Sequence, residues 1–240
     1  MVTLTIDGRE VQAEEEKTVL EAARDNNIYI PALCYHEGVN PYGACRLCMV
    51  EVTRRGRERL VASCLYSVED GLVVKTDSPR IANVRRMVTE FLLARCPDSE
   101  ELQDLASKLG IEKPSFTLKQ QECILCGLCF RACREIVEAD AITFIAQGKD
   151  RAVDEASVEH SLDKCIGCDT CAYICPTEAI TVEDMGDTRV INTPSGKLEF
   201  KLKRCKTCGK YWAPEKQLDY IIKEYNLEPE IFDACPDCRD

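Results

Sequence analysis

Apolar and polar residues alternate with a period of two at the start of the chain, where Val2-Thr3-Leu4-Thr5-Ile6 reads as a strand. Asp7-Gly8 separates it from a second strand, Arg9–Gln12, and that pair is a strong two-residue hairpin signal. Thr18 caps a short helix running to about Asn26, with Val19, Leu20 and Ala23 on its buried face. Met49–Val52 and Glu58–Ala62 form a second predicted hairpin across Arg55-Gly56, and Leu72–Lys75 supplies a further strand. The period then changes. Ser78-Pro79 opens a helix on which Ile81, Val84, Val88, Phe91 and Leu92 recur at helical spacing. Another helix runs from about Ser99 to Leu109 and stops at Gly110. Pro114 marks a linker into a cysteine-rich stretch, and Pro194-Ser195-Gly196 begins a short basic stretch (Lys197, Lys201, Lys203, Arg204, Lys206). A last helix fills Lys216–Tyr225.

These elements predict an α+β chain in four parts. Residues 1–76 hold two hairpins, one crossing helix and a closing strand, the components of a β-grasp fold. Residues 77–116 form a helical linker, 117–192 a cysteine-rich module and 193–240 a small C-terminal module. A length of 240 residues fits two or three small domains, and small modules with little core need staples, a role that metal clusters fill.

The chain has 17 cysteines, and sixteen of them fall into four groups of four, leaving Cys96 over. A disulfide scaffold would spread its cysteines through the chain, whereas these cluster at gaps of two and three residues, as metal sites require. The N-terminus opens as a strand, with no basic and apolar leader pattern, and a reducing cytoplasm is the expected compartment. No apolar run approaches the roughly 20 residues that span a bilayer. A formal charge of −11 argues against nucleic acid as a partner.

The second and third groups, Cys123/Cys126/Cys129/Cys133 and Cys165/Cys168/Cys171/Cys175, each read C-x2-C-x2-C-x3-C, and Pro176 follows the latter. That run is the bacterial ferredoxin signature, in which thiolates hold [4Fe–4S] clusters. Gly127 and Gly167 sit inside the tight ligand loops, where backbone N–H groups must turn toward sulfur. Arg131, Arg134 and Lys164 flank the runs and could raise cluster potentials or guide a partner, although ordinary solvated charge is the favoured reading for each. The tandem resembles a two-cluster ferredoxin, in which the fourth cysteine of each run serves the other cluster. Carried over by position, that resemblance implies Cys123, Cys126, Cys129 and Cys175 for one [4Fe–4S] cluster. It implies Cys165, Cys168, Cys171 and Cys133 for the second.

The first group, Cys34, Cys45, Cys48 and Cys64, has the spacing C-x10-C-x2-C-x15-C. The C-x2-C is shared with plant-type ferredoxins, but the first gap is longer. Gly43 before Cys45 lets the backbone pass close to sulfide. The contexts Pro31-Ala32-Leu33-Cys34-Tyr35-His36 and Gly43-Ala44-Cys45-Arg46-Leu47-Cys48-Met49-Val50 resemble the N-terminal [2Fe–2S] domain of the large iron–sulfur subunit of respiratory complex I. The same domain occurs in related subunits of NAD-linked hydrogenases, and the resemblance covers about residues 1–95. It implies one [2Fe–2S] cluster on these four cysteines. That family continues with a His-plus-three-Cys motif, which is lacking here, since no histidine lies between His36 and His160. Cys96 then reads as a buried thiol, and both histidines as structural or surface residues.

The last group, Cys205, Cys208, Cys235 and Cys238, looks like the paired knuckles of a zinc ribbon. Four thiolates suit zinc or iron, and paired knuckles favour structural Zn over a further Fe–S cluster.

No two glycines stand two residues apart, so neither a G-x-G-x-x-G turn nor a P-loop is present, and no flavin or NAD site is expected on this chain. The expected role is an electron-transfer subunit, with no catalytic site of its own, of an NAD(P)-linked multi-subunit oxidoreductase. The resemblance implies partners like the flavin/NADH-binding and thioredoxin-like [2Fe–2S] subunits of complex I, together with a hydrogenase or other catalytic subunit and ferredoxin. The finer analogy is to electron-bifurcating hydrogenases and transhydrogenases. Formate dehydrogenase, succinate dehydrogenase or fumarate reductase subunits, and a redox-sensing adaptor, stay open as alternatives.

Overall fold

The computed structural model describes residues 1–145 and 157–239. The chain divides into two compact units, Met1–Leu128 and Cys129–Asp240.

In the first unit, β1 (Val2–Ile6) and β2 (Arg9–Ala13) form one hairpin, and β3 (Met49–Arg54) and β4 (Arg57–Ala62) another. Asp7 (φ 49°) and Gly8 (φ 78°) both have positive φ, the mirror-image turn whose twist matches that of the flanking strands. The last strand, β5 (Val73–Lys75), enters between the hairpins, giving the order β2-β1-β5-β3-β4. It runs parallel to β1 (Thr5↔Val73) and antiparallel to β3 (Val52↔Val74). This is the expected β-grasp arrangement; the second hairpin zips one or two residues further toward its turn than the alternation suggested, and β2 runs one residue further away from its own.

Helix α1 (Val19–Asp25) crosses the sheet with Val19, Leu20, Ala22 and Ala23 buried. It is only seven residues long, too short to persist unaided, so its N-terminus is secured twice. The Thr18 hydroxyl accepts from Glu21 N at 3.3 Å while the Glu21 carboxylate accepts from Thr18 N at 2.7 Å. Leu4, Ile6, Leu20, Ile30, Val50 and Val74 fill the core between helix and sheet. Each side chain of this size contributes roughly 1.5–3 kcal/mol by leaving water.

Helix α2 (Pro79–Arg95) starts at Ser78, whose hydroxyl accepts from Ile81 N, and α3 (Glu100–Lys108) buries Leu102, Leu105 and Ala106. Cys96 follows α2 and is buried.

The chain passes to the second unit within α4 (Leu128–Glu135). There β6 (Ile142–Ile145) pairs with β7 (Ser157–His160), and α5 (Thr170–Tyr173) carries one turn of helix. A four-stranded antiparallel sheet follows, built from β8 (Thr181–Met185), β9 (Thr188–Thr193), β10 (Gly196–Arg204) and β11 (Tyr211–Pro214) in the order β11-β10-β9-β8. Helix α6 (Glu215–Tyr225) packs beside β10 and β11.

Pro194-Ser195, read from sequence as the opening of a separate module, is the turn of the β9–β10 hairpin, with Thr193 opposite Gly196. The sheet therefore runs across position 193. The basic stretch is strand β10, in which Leu198, Phe200 and Leu202 alternate with charged neighbours.

Candidate metal centres

The loop between α1 and β3 carries Cys34, Cys45 and Cys48, and the turn after β4 brings Cys64 beside them, all four buried. Cys45 N–H donates to Cys34 Sγ at 3.4 Å, and the Cys48 and Cys64 sulfurs share a hydrogen bond at 3.4 Å. Sharing pulls the Cys48 thiol down to about 6 and pushes Cys64 up; contact with Cys34 and burial push Cys45 up as well. Gly43 and Arg46, either side of Cys45, both have positive φ, which folds the loop tightly around the sulfurs. Two neighbours anchor it. Arg85 of α2 donates to the carbonyls of Leu47 and Met49 at 3.1 and 3.0 Å, and Tyr35 donates to Glu21 at 2.9 Å. His36 is half-buried and its Nδ1 accepts from Gly38 N–H at 3.1 Å.

Of the next run, Cys123 and Cys126 belong to the first unit. Leu125 N–H donates to Cys123 Sγ at 3.3 Å, and Arg95 donates to the Cys123 carbonyl at 2.7 Å.

In the second unit, Cys129 lies buried in α4 and Cys175 follows α5, half-buried, its sulfur 3.8 Å from Thr177 Oγ1. Cys133, at the end of the same α4, lines one cavity together with Cys165, Cys168 and Cys171. The cavity encloses about 330 Å³, its open mouth included, and aliphatic side chains such as Val137, Ile142, Ile166 and Ile191 form much of its wall. Ala141 N–H donates to Cys133 Sγ at 3.3 Å. Burial pushes Cys133 and Cys165 up and Cys171 up to about 12, since an apolar wall disfavours an isolated thiolate. A positively charged metal core reverses that preference. Four sulfurs converging on an apolar cavity, with a backbone N–H aimed at one of them, are a donor set suited to an iron–sulfur core.

Three more residues belong to this site, none of them expected there. His160 lines the cavity at 8 % exposure, and burial lowers its pKa to about 4. Asp169, in the left-handed region at φ 65°, also lines it. Arg189 of β9 lies against Asp169 and donates to the Gly167 carbonyl. Nothing in the local sequence marks His160 or Arg189, because strand pairing brings them to the loop from elsewhere. Arg131, read as a solvated charge, is buried at 4 % exposure. Lys164 is exposed and pairs with Asp140, and Arg134 lies over the Phe130 ring.

At the C-terminus, Cys205, Cys208, Cys235 and Cys238 place their sulfurs within 4.8 Å of one another, the one such group of possible ligands among the described residues. The first knuckle follows β10: Gly209 N–H donates to Cys205 O, and Cys205 N–H to Lys210 O. The second is a helical turn opened by Pro236. Cys208 and Cys235 N–H groups both point at Cys205 Sγ, at 3.5 and 3.3 Å, and hold that thiol down to about 5. Lys206 and Lys203 both pair with Asp233, joining the two knuckles.

Residues 1–79 match the 2Fe-2S iron-sulfur cluster binding domain family, and residues 117–182 match the 4Fe-4S dicluster domain family. The chain carries iron–sulfur cluster binding domains of both kinds. The C-terminal four-cysteine group lies outside both matched segments.

Among its homologues is the mitochondrial NADH-ubiquinone oxidoreductase 78 kDa subunit of Neurospora crassa, 31% identical over 75% of this chain and 27% of the relative. The NADPH-Fe(3+) oxidoreductase subunit alpha of Geobacter sulfurreducens is 32% identical over 74% of this chain and 24% of its own length. The NADP-reducing hydrogenase subunit HndD of Solidesulfovibrio fructosivorans is 34% identical over 75% of this chain and 36% of its own length. The chain thus spans about a quarter to a third of the length of these curated relatives. A chain in the crystal structure of an NAD+-reducing [NiFe]-hydrogenase in the H2-reduced state superposes with a TM-score of 0.62 at 27% identity. That match covers 87% of this chain and 88% of the other. No helix among the described residues is long and apolar enough to cross a membrane.

Proposed function

We propose that this chain is an iron–sulfur electron-transfer subunit of an NAD(P)-linked multi-subunit oxidoreductase. It would relay single electrons between a flavin-bearing partner and ferredoxin or a catalytic partner, in an electron-bifurcating hydrogenase or transhydrogenase. The observation that carries the reading is the meeting of Cys133 with Cys165, Cys168 and Cys171 on one cavity. That meeting supports the crossed assignment, in which the fourth cysteine of the first run serves the cluster of the second, the exchange by which two-cluster ferredoxins hold their clusters close together. Homology to subunits of NADH-, NADPH- and hydrogen-linked enzymes supports the same reading.

In this proposal Cys34, Cys45, Cys48 and Cys64 hold a [2Fe–2S] cluster. Cys165, Cys168, Cys171 and Cys133 hold one [4Fe–4S] cluster; Cys123, Cys126, Cys129 and Cys175 are assigned to the other on sequence spacing alone. Bound there, such clusters accept and donate one electron at a time, so conversion of hydride to single electrons falls to a flavin on a partner subunit. The chain's own residues fix the thiolates, exclude water with aliphatic walls and aim backbone N–H groups at sulfur.

The C-terminal group is proposed to hold a single zinc ion. A tetrahedral ion with metal–sulfur distances of about 2.3 Å needs its sulfurs roughly 3.8 Å apart. Cys208 and Cys235 Sγ stand at 3.8 Å. A cubane core would need its thiolates spread much wider.

Metal and sulfide analysis of anaerobically purified protein tests the whole assignment. The expected yield is roughly ten irons and one zinc per chain, summing the three clusters and the single ion. Cys133→Ser should damage only the cluster of Cys165, Cys168 and Cys171. An intact spectrum from that cluster in the variant would overturn the crossed arrangement, and about fourteen irons without zinc would overturn the C-terminal assignment.

A further inference from the structure

His160 closes β7 opposite Ile142 of β6, and this register turns its ring toward the cavity lined by Cys133, Cys165, Cys168 and Cys171. The residue is more than nine-tenths buried, and neither Nδ1 nor Nε2 has a hydrogen-bond partner among the described residues. A buried N–H left without an acceptor costs about 1–3 kcal/mol, so native structures rarely keep one. The other polar groups on the wall are engaged: Asp169 faces Arg189 at 3.6 Å, and Thr170 Oγ1 lies 3.4 Å from Cys168 Sγ. Much of the remaining wall is aliphatic, and the four cysteine sulfurs that share the cavity are the acceptors a bound cluster would offer the imidazole. Four thiolates already complete the ligand set of a cubane, which leaves the ring no place as a fifth ligand.

We propose that His160 donates an imidazole N–H to sulfur of the [4Fe–4S] cluster held by Cys165, Cys168, Cys171 and Cys133, and thereby raises the reduction potential of that cluster. The inference rests on the ligand assignment proposed above. Reduction adds negative charge to the cluster, and a donor aimed at sulfur stabilises the more negative state more than the oxidised one. His160 is thus a tuning residue that sets how readily this cluster accepts an electron. It makes the second cluster unlike a purely aliphatic-walled one, and so sets a potential step along the relay.

The test uses the full chain, purified anaerobically, with iron and sulfide counted in every variant. His160→Leu removes the donor while keeping an apolar side chain; His160→Gln keeps an N–H donor. In EPR-monitored redox titrations, His160→Leu should retain full iron and show one [4Fe–4S] midpoint moved to lower potential, with His160→Gln returning it toward wild type. The chain has only two histidines, so labelling with 15N-histidine gives a clean probe. Pulsed EPR of the reduced [4Fe–4S] signal should show a 15N coupling that His160→Leu abolishes and His36→Gln leaves in place. Full iron with an unchanged midpoint in His160→Leu would overturn the proposal, as would absence of the nitrogen coupling in wild type. So would loss of the whole cluster in His160→Leu and His160→Gln alike, which would make the ring a strut or a ligand. Wild-type protein with about six irons, four fewer than the roughly ten expected, would overturn the ligand assignment and the inference with it, and the iron count separates that failure from the others.

Discussion

Arg189 Nη1 donates to the carbonyl of Gly167 at 3.3 Å, inside the loop between Cys165 and Cys168. The same guanidinium grips Asp184 through two bonds of 2.7 and 2.9 Å, and its side chain is only 12% exposed. A cation from β9 is thereby locked onto a ligand loop. Arg189→Leu should cost about 1.5–3 kcal/mol in denaturant unfolding, because hydrogen bonds to charged groups are lost. It should also lower the midpoint potential of the adjoining cluster, since a nearby positive charge favours the reduced form. An unchanged midpoint by redox titration would show that the charge is fully compensated by Asp184.

Gly167 itself tolerates no side chain. Its φ is +76°, and a Cβ there would stand 2.8 Å from Phe200 Cγ and 3.1 Å from Pro214 Cγ. Left-handed backbone plus overpacking should make Gly167→Ala cost roughly 2–4 kcal/mol. The measurement is thermal unfolding together with iron content; wild-type stability and full iron would refute the contact.

Tyr35, beside Cys34, ties the [2Fe–2S] loop to the capping box of α1 through Glu21. Burial, then the bond to Glu21, raises the Tyr35 hydroxyl. Tyr35→Phe should cost about 1.5–3 kcal/mol, the value of a hydrogen bond to a charged group. Bleaching of the [2Fe–2S] chromophore in chelator should accelerate in this variant, while Thr18→Ala, which costs about 1 kcal/mol at the helix cap, should affect stability alone.

The zinc assignment proposed for the C-terminal cysteines predicts a proton count. With Cys205 held down to about 5 by the Cys208 and Cys235 N–H groups, this sulfur is already a thiolate at neutral pH. Zinc uptake near pH 7 should therefore release fewer than four protons, and the count should rise as the pH falls through about 5 and Cys205 becomes protonated. Calorimetry in buffers of different ionisation enthalpy reads the number directly; four protons released at pH 7 would contradict the hydrogen-bonding pattern.

The parts of this fold fixed by local chemistry were legible. Asp7-Gly8 demands positive φ and so announces its hairpin; Thr18 announces its helix because a hydroxyl must meet an orphan N–H. The cysteine spacing announced the cavity residues, since short gaps leave sulfur few other uses. Strand β10 was obscured because Lys197, Lys201 and Lys203 weigh on composition, although Leu198, Phe200 and Leu202 alternate with them. His160, Arg131 and Arg189 stayed hidden for a different reason. Their burial is settled by tertiary packing, such as the register of His160 with Ile142, and a single sequence carries no mark of it.

The middle of strand β10 lies against the loop between Cys165 and Cys168, and its C-terminal end leads into the last four-cysteine group. Phe200 covers Gly167, and five residues later Cys205 begins the four-sulfur group, about 17 Å away at roughly 3.4 Å per residue. One continuous strand thus joins the two cysteine groups. Loss of order at those four cysteines would therefore loosen the strand whose Phe200 backs Gly167.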